Sequence, residues 1–157
     1  YNVYMIIHCG DLISPFMLKE LAAFGGAVHL IYGNNVGDQH LISSFCGTKF
    51  PSITHHGILG AVEADGRKIA FQHYPEIGRS LAAQGNFDVV CCGHNHRYGV
   101  EKIGDTLLIN PGDMMGYDSE PSFAILDTSA WEVECVYVEA AAGERPASGV
   151  DTGMLNG

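Results

Sequence analysis

The chain has 157 residues, which is the size of one domain, and its hydrophobic fraction of 46% is enough to build a core. Lys and Arg total only 8 against 18 acidic residues, giving a formal charge of -10, so binding of nucleic acid through a basic face is excluded. No apolar run reaches the roughly 18 residues of a membrane span, and 5 cysteines without a framework spacing predict reduced thiols and a cytoplasmic location.

The first half of the chain has the pattern of a strand–helix–strand unit. Two apolar runs each end in a polar turn, and between them Ser14 and Pro15 predict the start of a helix. Because the connections are short, the two strands should lie parallel. The predicted elements are a strand over 3–8, a helix over 14–24, a strand over 27–32 and a short helix over 39–45.

The second half of the chain carries hairpin signals. Asp65-Gly66 and Gly104-Asp105 each separate two strand-like runs. The predicted elements are strands over 58–63 and 68–73, a helix over 75–84, and strands over 87–92, 100–103, 106–109, 123–126 and 132–138. This order predicts an α/β fold with a mixed sheet or two stacked sheets and helices outside. His55 and His56 precede a strand and are predicted to be surface residues, and residues 139–157 are predicted to be a disordered tail.

Polar side chains with metal-binding chemistry follow four of the predicted strands. They are Asp11, Asn34, His73, and the pair His94 and His96. Each alone has an ordinary interpretation, as a turn residue or as a hydrogen-bonded core histidine. Together they favour one site, because open α/β folds bind ligands at the carboxyl ends of their strands. Oxygen and imidazole ligands without thiolate indicate manganese, iron or zinc.

The same residues resemble a known family. Gly10-Asp11, Gly33-Asn34, His73 and Gly93-His94-Asn95-His96, in this order and at this spacing, resemble the calcineurin-like metallophosphoesterases. The stretches 7–11, 32–35 and 109–112 are similar to the small YfcE-type phosphodiesterases among them. Since the resemblance runs from about residue 3 to residue 138, we expect one metallophosphoesterase domain over residues 1–138.

The resemblance implies a four-layer α/β/β/α sandwich, with two mixed sheets and outer helices. It also implies hydrolysis of small phosphoesters at a dinuclear metal site with a bridging hydroxide. Manganese is the expected metal, with zinc, iron and nickel as alternatives. Asp11 would bridge both ions, Asn34, His73 and His94 would complete one site, and His96 would belong to the other. Asp11, Asn34 and His94 would form the catalytic set, and Asn35 and Arg97 would contact the substrate.

Two departures from the family pattern qualify this expectation. In the family, the second ion also takes an Asp and a His from an Asp-x-His strand that precedes these motifs. This sequence shows no such strand, so we expect the domain to lack its first strand. We expect this chain to be an N-terminally truncated form that holds metal incompletely. Neither Asn35 nor Val36 can donate a proton at the positions where relatives carry His or Asp, which leaves the general acid open.

The alternative is a non-catalytic scaffold, because the eukaryotic retromer subunit shares the fold and the Asn-Pro-Gly stretch. That subunit lacks several ligand side chains, whereas all five are present here, which favours the enzyme. The natural substrate, the native metal and the oligomeric state, including a homo-oligomer, are left open by the sequence.

Overall fold

The computed structural model describes residues 2–117 and 119–138, and the predicted tail lies outside them. Ten strands and three helices occupy the described residues. They are β1 Met5–His8, α1 Met17–Ala22, β2 Ala27–Leu30, α2 Gln39–Phe45, β3 Ile53–His55, β4 Leu59–Ala64, β5 Arg67–Gln72, α3 Pro75–Ala83, β6 Val89–Cys91, β7 Tyr98–Ile103, β8 Thr106–Pro111, β9 Ser122–Asp127 and β10 Glu132–Tyr137.

The strands of the described residues form three hydrogen-bonded sheets. One is parallel, in the order β1-β2-β3, because α1 lies between the first two strands and α2 between the next two. The second, β4-β5-β6-β8-β7, has parallel strands at its centre and an antiparallel hairpin at each edge. The third is the β9–β10 hairpin. The fold is therefore mixed α/β as predicted, although only the five-stranded sheet is itself mixed.

Three apolar clusters hold these elements together. One lies between α1, α2 and the parallel sheet, and includes Leu18, Leu30 and Ile42. A second lies between α3 and the five-stranded sheet. The third joins residues of β5, β6 and β8 to residues of β1 and of the β9–β10 hairpin. The five-stranded sheet thus packs against α3 on one face and against residues of β1 and of the β9–β10 hairpin on the other.

Two local features differ from the sequence-based expectation. The helix predicted to begin at Ser14 begins at Met17, because Ser14 first forms a turn: its Oγ accepts the N–H of Phe16 at 3.3 Å and its carbonyl accepts that of Met17 at 3.1 Å. Strand β3 was not predicted, since its three residues lack an apolar run. It exists because Ile53 and His55 pair in parallel with Val28 and Leu30 of β2.

The prediction that His55 and His56 are surface residues is wrong, because His55 ends β3, His56 follows it, and both are half-buried. The ring of His55 packs on Tyr32, with 4.0 Å between ring centroids. His56 Nε2 lies 3.0 Å from His29 Nδ1, and the His56 ring also contacts Phe71 of the second sheet at 5.0 Å between centroids. The parallel sheet and the five-stranded sheet are therefore in contact through His29, His56 and Phe71.

Burial lowers the pKa of His8, His55, His56 and His29, and the neighbouring His56 lowers that of His29 further. The unfolded chain, with histidine pKa values near ~6.5, then binds more protons than the folded chain just below that pH. Stability should accordingly fall as the pH drops from 7.5 through 6.5 towards 5.5. We expect thermal unfolding to show this fall, and His29→Gln to weaken it. His40→Gln, at an exposed position of α2, is the control, and equal pH slopes in all three proteins would contradict the prediction.

Candidate metal centre

The carboxyl ends of β1 and β2 bring Asp11 and Asn35 into contact. Gly10 has φ +106° and Asp11 has φ +62°, so the chain turns sharply directly after β1. Asn35 then donates two hydrogen bonds to Asp11, from its backbone N–H to Oδ1 at 2.9 Å and from Nδ2 to Oδ2 at 3.0 Å. These bonds fix the plane of the carboxylate.

Gly33 lets the two loops approach this closely. A Cβ on Gly33 would lie 2.0 Å from Asp11 Oδ1, 2.7 Å from Asp11 N and 2.8 Å from His73 Cε1. No side chain fits there, because all three separations are shorter than van der Waals contact. The glycine is thus required by packing rather than by its own backbone angle.

His73 follows β5 and is only 3% exposed. Its Nδ1 lies 2.7 Å from the carbonyl oxygen of Cys9, so Nδ1 carries the proton that is donated there. In the neutral ring Nε2 then has a free lone pair, which points at Asn34 Oδ1 at 2.8 Å and lies 3.5 Å from Asp11 Oδ1. A ring nitrogen held in this way by a backbone carbonyl is typical of histidines that bind metal.

His94 completes the group from the neighbouring strand β6. Its backbone is in the left-handed region, at φ +72°, and its Nδ1 lies 2.9 Å from Asn34 Oδ1. The preceding Gly93 donates its N–H to the carbonyl of His73 at 2.9 Å, and buried Asn110 donates from Nδ2 to the carbonyl of Gly93 at 2.9 Å. The loop that carries His94 is thereby tied to the loop of His73.

The chemistry of these four side chains fits a divalent cation. The Nε2 of a neutral His73 carries no proton, so it cannot donate a hydrogen bond to Asn34 Oδ1. The lone pairs of these two atoms therefore face each other, and a bound cation between them would stabilise the arrangement. Burial acts to raise the pKa of Asp11, but the two hydrogen bonds from Asn35 and the electrostatic influence of the neighbouring imidazoles of His73 and His94 outweigh it and leave this pKa below its usual value. The ionised carboxylate, the amide oxygen and two imidazoles suit manganese, zinc or iron.

Within the described residues, no three His, Cys, Asp or Glu side chains are arranged to hold an ion by themselves. The group therefore depends on Asn34, whose amide oxygen lies within 2.9 Å of a ring nitrogen of both His73 and His94. An amide oxygen is an ordinary ligand for a hard cation, so its presence is compatible with a metal site.

His96 makes a different set of contacts. Its Nδ1 is 3.3 Å from Asp113 Oδ2, and its ring lies edge-on to that of Tyr117, with 6.4 Å between the centroids. Its φ is +58°, so Asp11, His94 and His96 all adopt the left-handed conformation that non-glycine residues rarely use. Backbone strain of this kind clusters at functional sites.

The two predicted substrate contacts are placed differently from each other. Asn35 is engaged with Asp11 through both of its donors, so it supports the carboxylate. Arg97 follows His96 and is exposed, and its backbone N–H donates to Asn95 Oδ1 at 3.2 Å. Its contact with a substrate stays a prediction.

Sequence reasoning missed three supporting groups, namely the carbonyl of Cys9, the side chain of Asn110 and Asp113. Asn110 lies near the end of β8 and Asp113 shortly after it, and the stretch 109–112 served only as a motif of the family resemblance. The signal that could have found them is the position of this stretch: β8 is parallel to β6, so its carboxyl end reaches the same edge as His94.

A carboxylate, an amide and two imidazoles gathered at strand ends are typical of α/β proteins that bind divalent metal ions, a class that includes metal-dependent hydrolases. The model of the calcineurin-like phosphoesterase superfamily domain matches residues 1–130, and the chain belongs to this family. It is 33% identical to a phosphodiesterase of Methanocaldococcus jannaschii over 144 residues, which is 88% of this chain and 84% of that protein. The family predicted from the sequence is confirmed, and with it an enzyme that hydrolyses phosphoesters.

Solved structures agree with this assignment. An archaeal phosphodiesterase superposes with a TM-score of 0.80 at 31% identity, over 87% of this chain and 84% of the other. Vacuolar Protein Sorting 29 from Cryptosporidium parvum, at 17% identity, superposes with a TM-score of 0.62 over 88% and 83% of the two chains, a similarity of fold alone. In the described part of the chain, no helix is long and apolar enough to cross a membrane.

Proposed function

We propose that this protein is a phosphodiesterase that hydrolyses small phosphoesters at a centre of two divalent metal ions. The observation that carries the proposal is the convergence on Asn34 Oδ1 of His73 Nε2 at 2.8 Å and His94 Nδ1 at 2.9 Å, beside the carboxylate of Asp11. All five expected ligand side chains are present, which favours the enzyme over a non-catalytic scaffold.

Each residue has a defined task in this proposal. Asp11, Asn34, His73 and His94 hold one ion, and Asp11 together with His96 contributes to the second. When bound, such ions acidify a water molecule and neutralise the charge that develops on the phosphate. Manganese is the proposed metal, with zinc, iron and nickel as alternatives.

The protein supplies orientation and one further positive charge. Asn35 fixes the Asp11 carboxylate, and the Cys9 carbonyl fixes the His73 tautomer. The exposed guanidinium of Arg97 binds a non-bridging phosphate oxygen, because its planar donors match phosphate geometry. The five cysteines are unbridged, which supports a cytoplasmic location.

The neighbourhood of Asp11 indicates which esters react fastest. Asn35 and Val36 cannot donate a proton to the leaving group, so the leaving oxygen must be stable as an anion. Aryl phosphodiesters with acidic phenols meet this requirement, whereas alkyl diesters need protonation as the bond breaks.

We therefore expect the protein to hydrolyse bis(4-nitrophenyl) phosphate with manganese and to lose this activity to a chelator. Absorbance of released nitrophenolate is the measurement, and readdition of manganese after chelation is the control. An alkyl 4-nitrophenyl diester should react through nitrophenolate release as well. A dialkyl diester, followed by phosphorus NMR because it releases no chromophore, should be at least about tenfold slower, a difference of roughly 1.4 kcal/mol in the barrier. Hydrolysis that persists after exhaustive chelation would reject the proposed function.

A further inference from the structure

His96 has a ring nitrogen that lacks a partner. Its Nδ1 is shut off from water and makes no hydrogen bond of good geometry among the described residues. The acidic group beside it is Asp113, whose Oδ2 lies 3.3 Å away. A carboxylate oxygen has only lone pairs to offer, so the nitrogen facing it must carry the proton. The ring can then donate from Nδ1 after a small rotation, and its Nε2 keeps a free lone pair.

Asp113 is held in a fixed orientation. Its Oδ1 accepts the backbone N–H of Met115 at 2.8 Å, and its Oδ2 accepts that of Tyr117 at 2.9 Å. Its own carbonyl accepts the N–H of Ser122 at 3.0 Å, which ties it to the start of β9. The side chain is 11% exposed. A carboxylate that is restrained in this way can determine which ring nitrogen of a neighbouring imidazole carries the proton.

The backbone of His96 is restrained from the same loop. Ser119 donates its hydroxyl to the carbonyl of His96 at 2.8 Å, and the Tyr117 ring stands edge-on to the imidazole. The strained φ of +58° at His96 is thus supported by the segment that Asp113 organises.

We propose that Asp113 is a positioning residue for His96: its carboxylate accepts a hydrogen bond from the Nδ1–H of the imidazole and so presents Nε2 to the second metal ion. This inference rests on the proposed function, because it gives His96 a ligand's task. It adds a residue outside the five predicted ligands, and Asp113 touches neither metal nor substrate. Carboxylate–histidine–metal arrangements of this kind set both the tautomer and the basicity of the ligand.

The test is a measurement of histidine tautomers by long-range ¹H–¹⁵N correlation spectra of the metal-free protein. His96→Gln identifies the signals of His96. We expect the proton on Nδ1 in the unmodified protein, against the preference of free imidazole for Nε2–H. A His96 with its proton on Nε2 would overturn the proposal, and this measurement does not depend on the folding of any Asp113 variant.

Asp113→Asn gives the second readout. The amide keeps an oxygen for the backbone N–H groups but turns an N–H towards His96, so the tautomer should switch to Nε2–H. The affinity for the second manganese ion, measured by competition with a chromophoric chelator, should fall about 10–100-fold. Asp127→Asn is the matched control, since Asp127 Oδ1 accepts the N–H groups of Ser129 and Ala130 at 2.8 Å in a similar turn.

An unchanged tautomer and unchanged affinity in Asp113→Asn would overturn the proposal, as would equal effects of Asp127→Asn. The two hypotheses fail separately. Loss of manganese-dependent hydrolysis from the unmodified protein rejects the proposed function, whereas the tautomer of His96 decides the role of Asp113.

Discussion

Asp11→Asn is expected to lower kcat/KM for the aryl diester by at least about a thousandfold, which corresponds to roughly 4 kcal/mol of transition-state stabilisation. Its carboxylate lies beside the candidate ligands Asn34, His73 and His94, with Oδ1 3.5 Å from His73 Nε2. The amide removes the negative charge that binds the cations. In the unmodified protein, Asn35 Nδ2 donates a hydrogen bond to Asp11 Oδ2. An asparagine at position 11 can place its own N–H donor opposite Nδ2 of Asn35, and this hydrogen bond is then lost.

Backbone strain is not the cause of this expected loss. Asp11 has φ +62°, and asparagine tolerates the left-handed region at least as well as aspartate. The variant should consequently fold, and a thermal melt within a few degrees of the unmodified protein would show that it does.

Asp88→Asn is the matched control for Asp11→Asn. Asp88 accepts the N–H of Lys68 at 2.8 Å and a bond from Arg67 Nη1 at 3.2 Å, immediately before the amino end of β6. It therefore lies at the end of the strand opposite to His94, and its amide variant should keep nearly full activity. If Asp11→Asn retained more than about a tenth of the activity at saturating manganese, its carboxylate could not be a metal ligand.

Gly33→Ala has the second large expected effect. The added methyl carbon would overlap Asp11 Oδ1 at 2.0 Å and His73 Cε1 at 2.8 Å, so the loops after β1 and β2 must separate. We expect manganese affinity to fall at least about 100-fold, because ligands displaced by the methyl group can no longer share an ion. Overpacking of this kind also destabilises folded proteins by about 1–3 kcal/mol.

Gly99→Ala provides the control for Gly33→Ala. A Cβ on Gly99, in the edge strand β7, would meet nothing within 4 Å, and neither glycine has a positive φ. The two variants thus add the same methyl group to the chain, and only one adds it to the candidate metal centre. Titration with manganese and thermal unfolding are the measurements. Equal metal affinity in the two variants would show that the close approach of Gly33 to Asp11 is unimportant.

The sequence by itself determined the family and most of the regular structure. The reason is that the informative features are local: apolar runs ending in glycine predict strands with a turn at the carboxyl end, and Asp65-Gly66 predicts the β4–β5 hairpin that forms. The helix Gln39–Phe45 was also predicted with its observed bounds, and Asp38 caps it by accepting the N–H of Leu41 at 3.0 Å. Spacing along the chain was enough to select the five candidate ligands.

Only the tertiary structure decided which groups support those ligands. β3 and the half-buried position of His56 result from pairing with β2. No pattern in the residues around Ile53 predicts this pairing. The contact between His96 and Asp113 joins residues 17 positions apart, and it arises because parallel strands β6 and β8 end at the same edge. A carbonyl such as that of Cys9 carries no signature in the sequence at all, since every residue has one. Hydrogen bonds between distant loops depend on three-dimensional packing, and the chain order alone does not contain it.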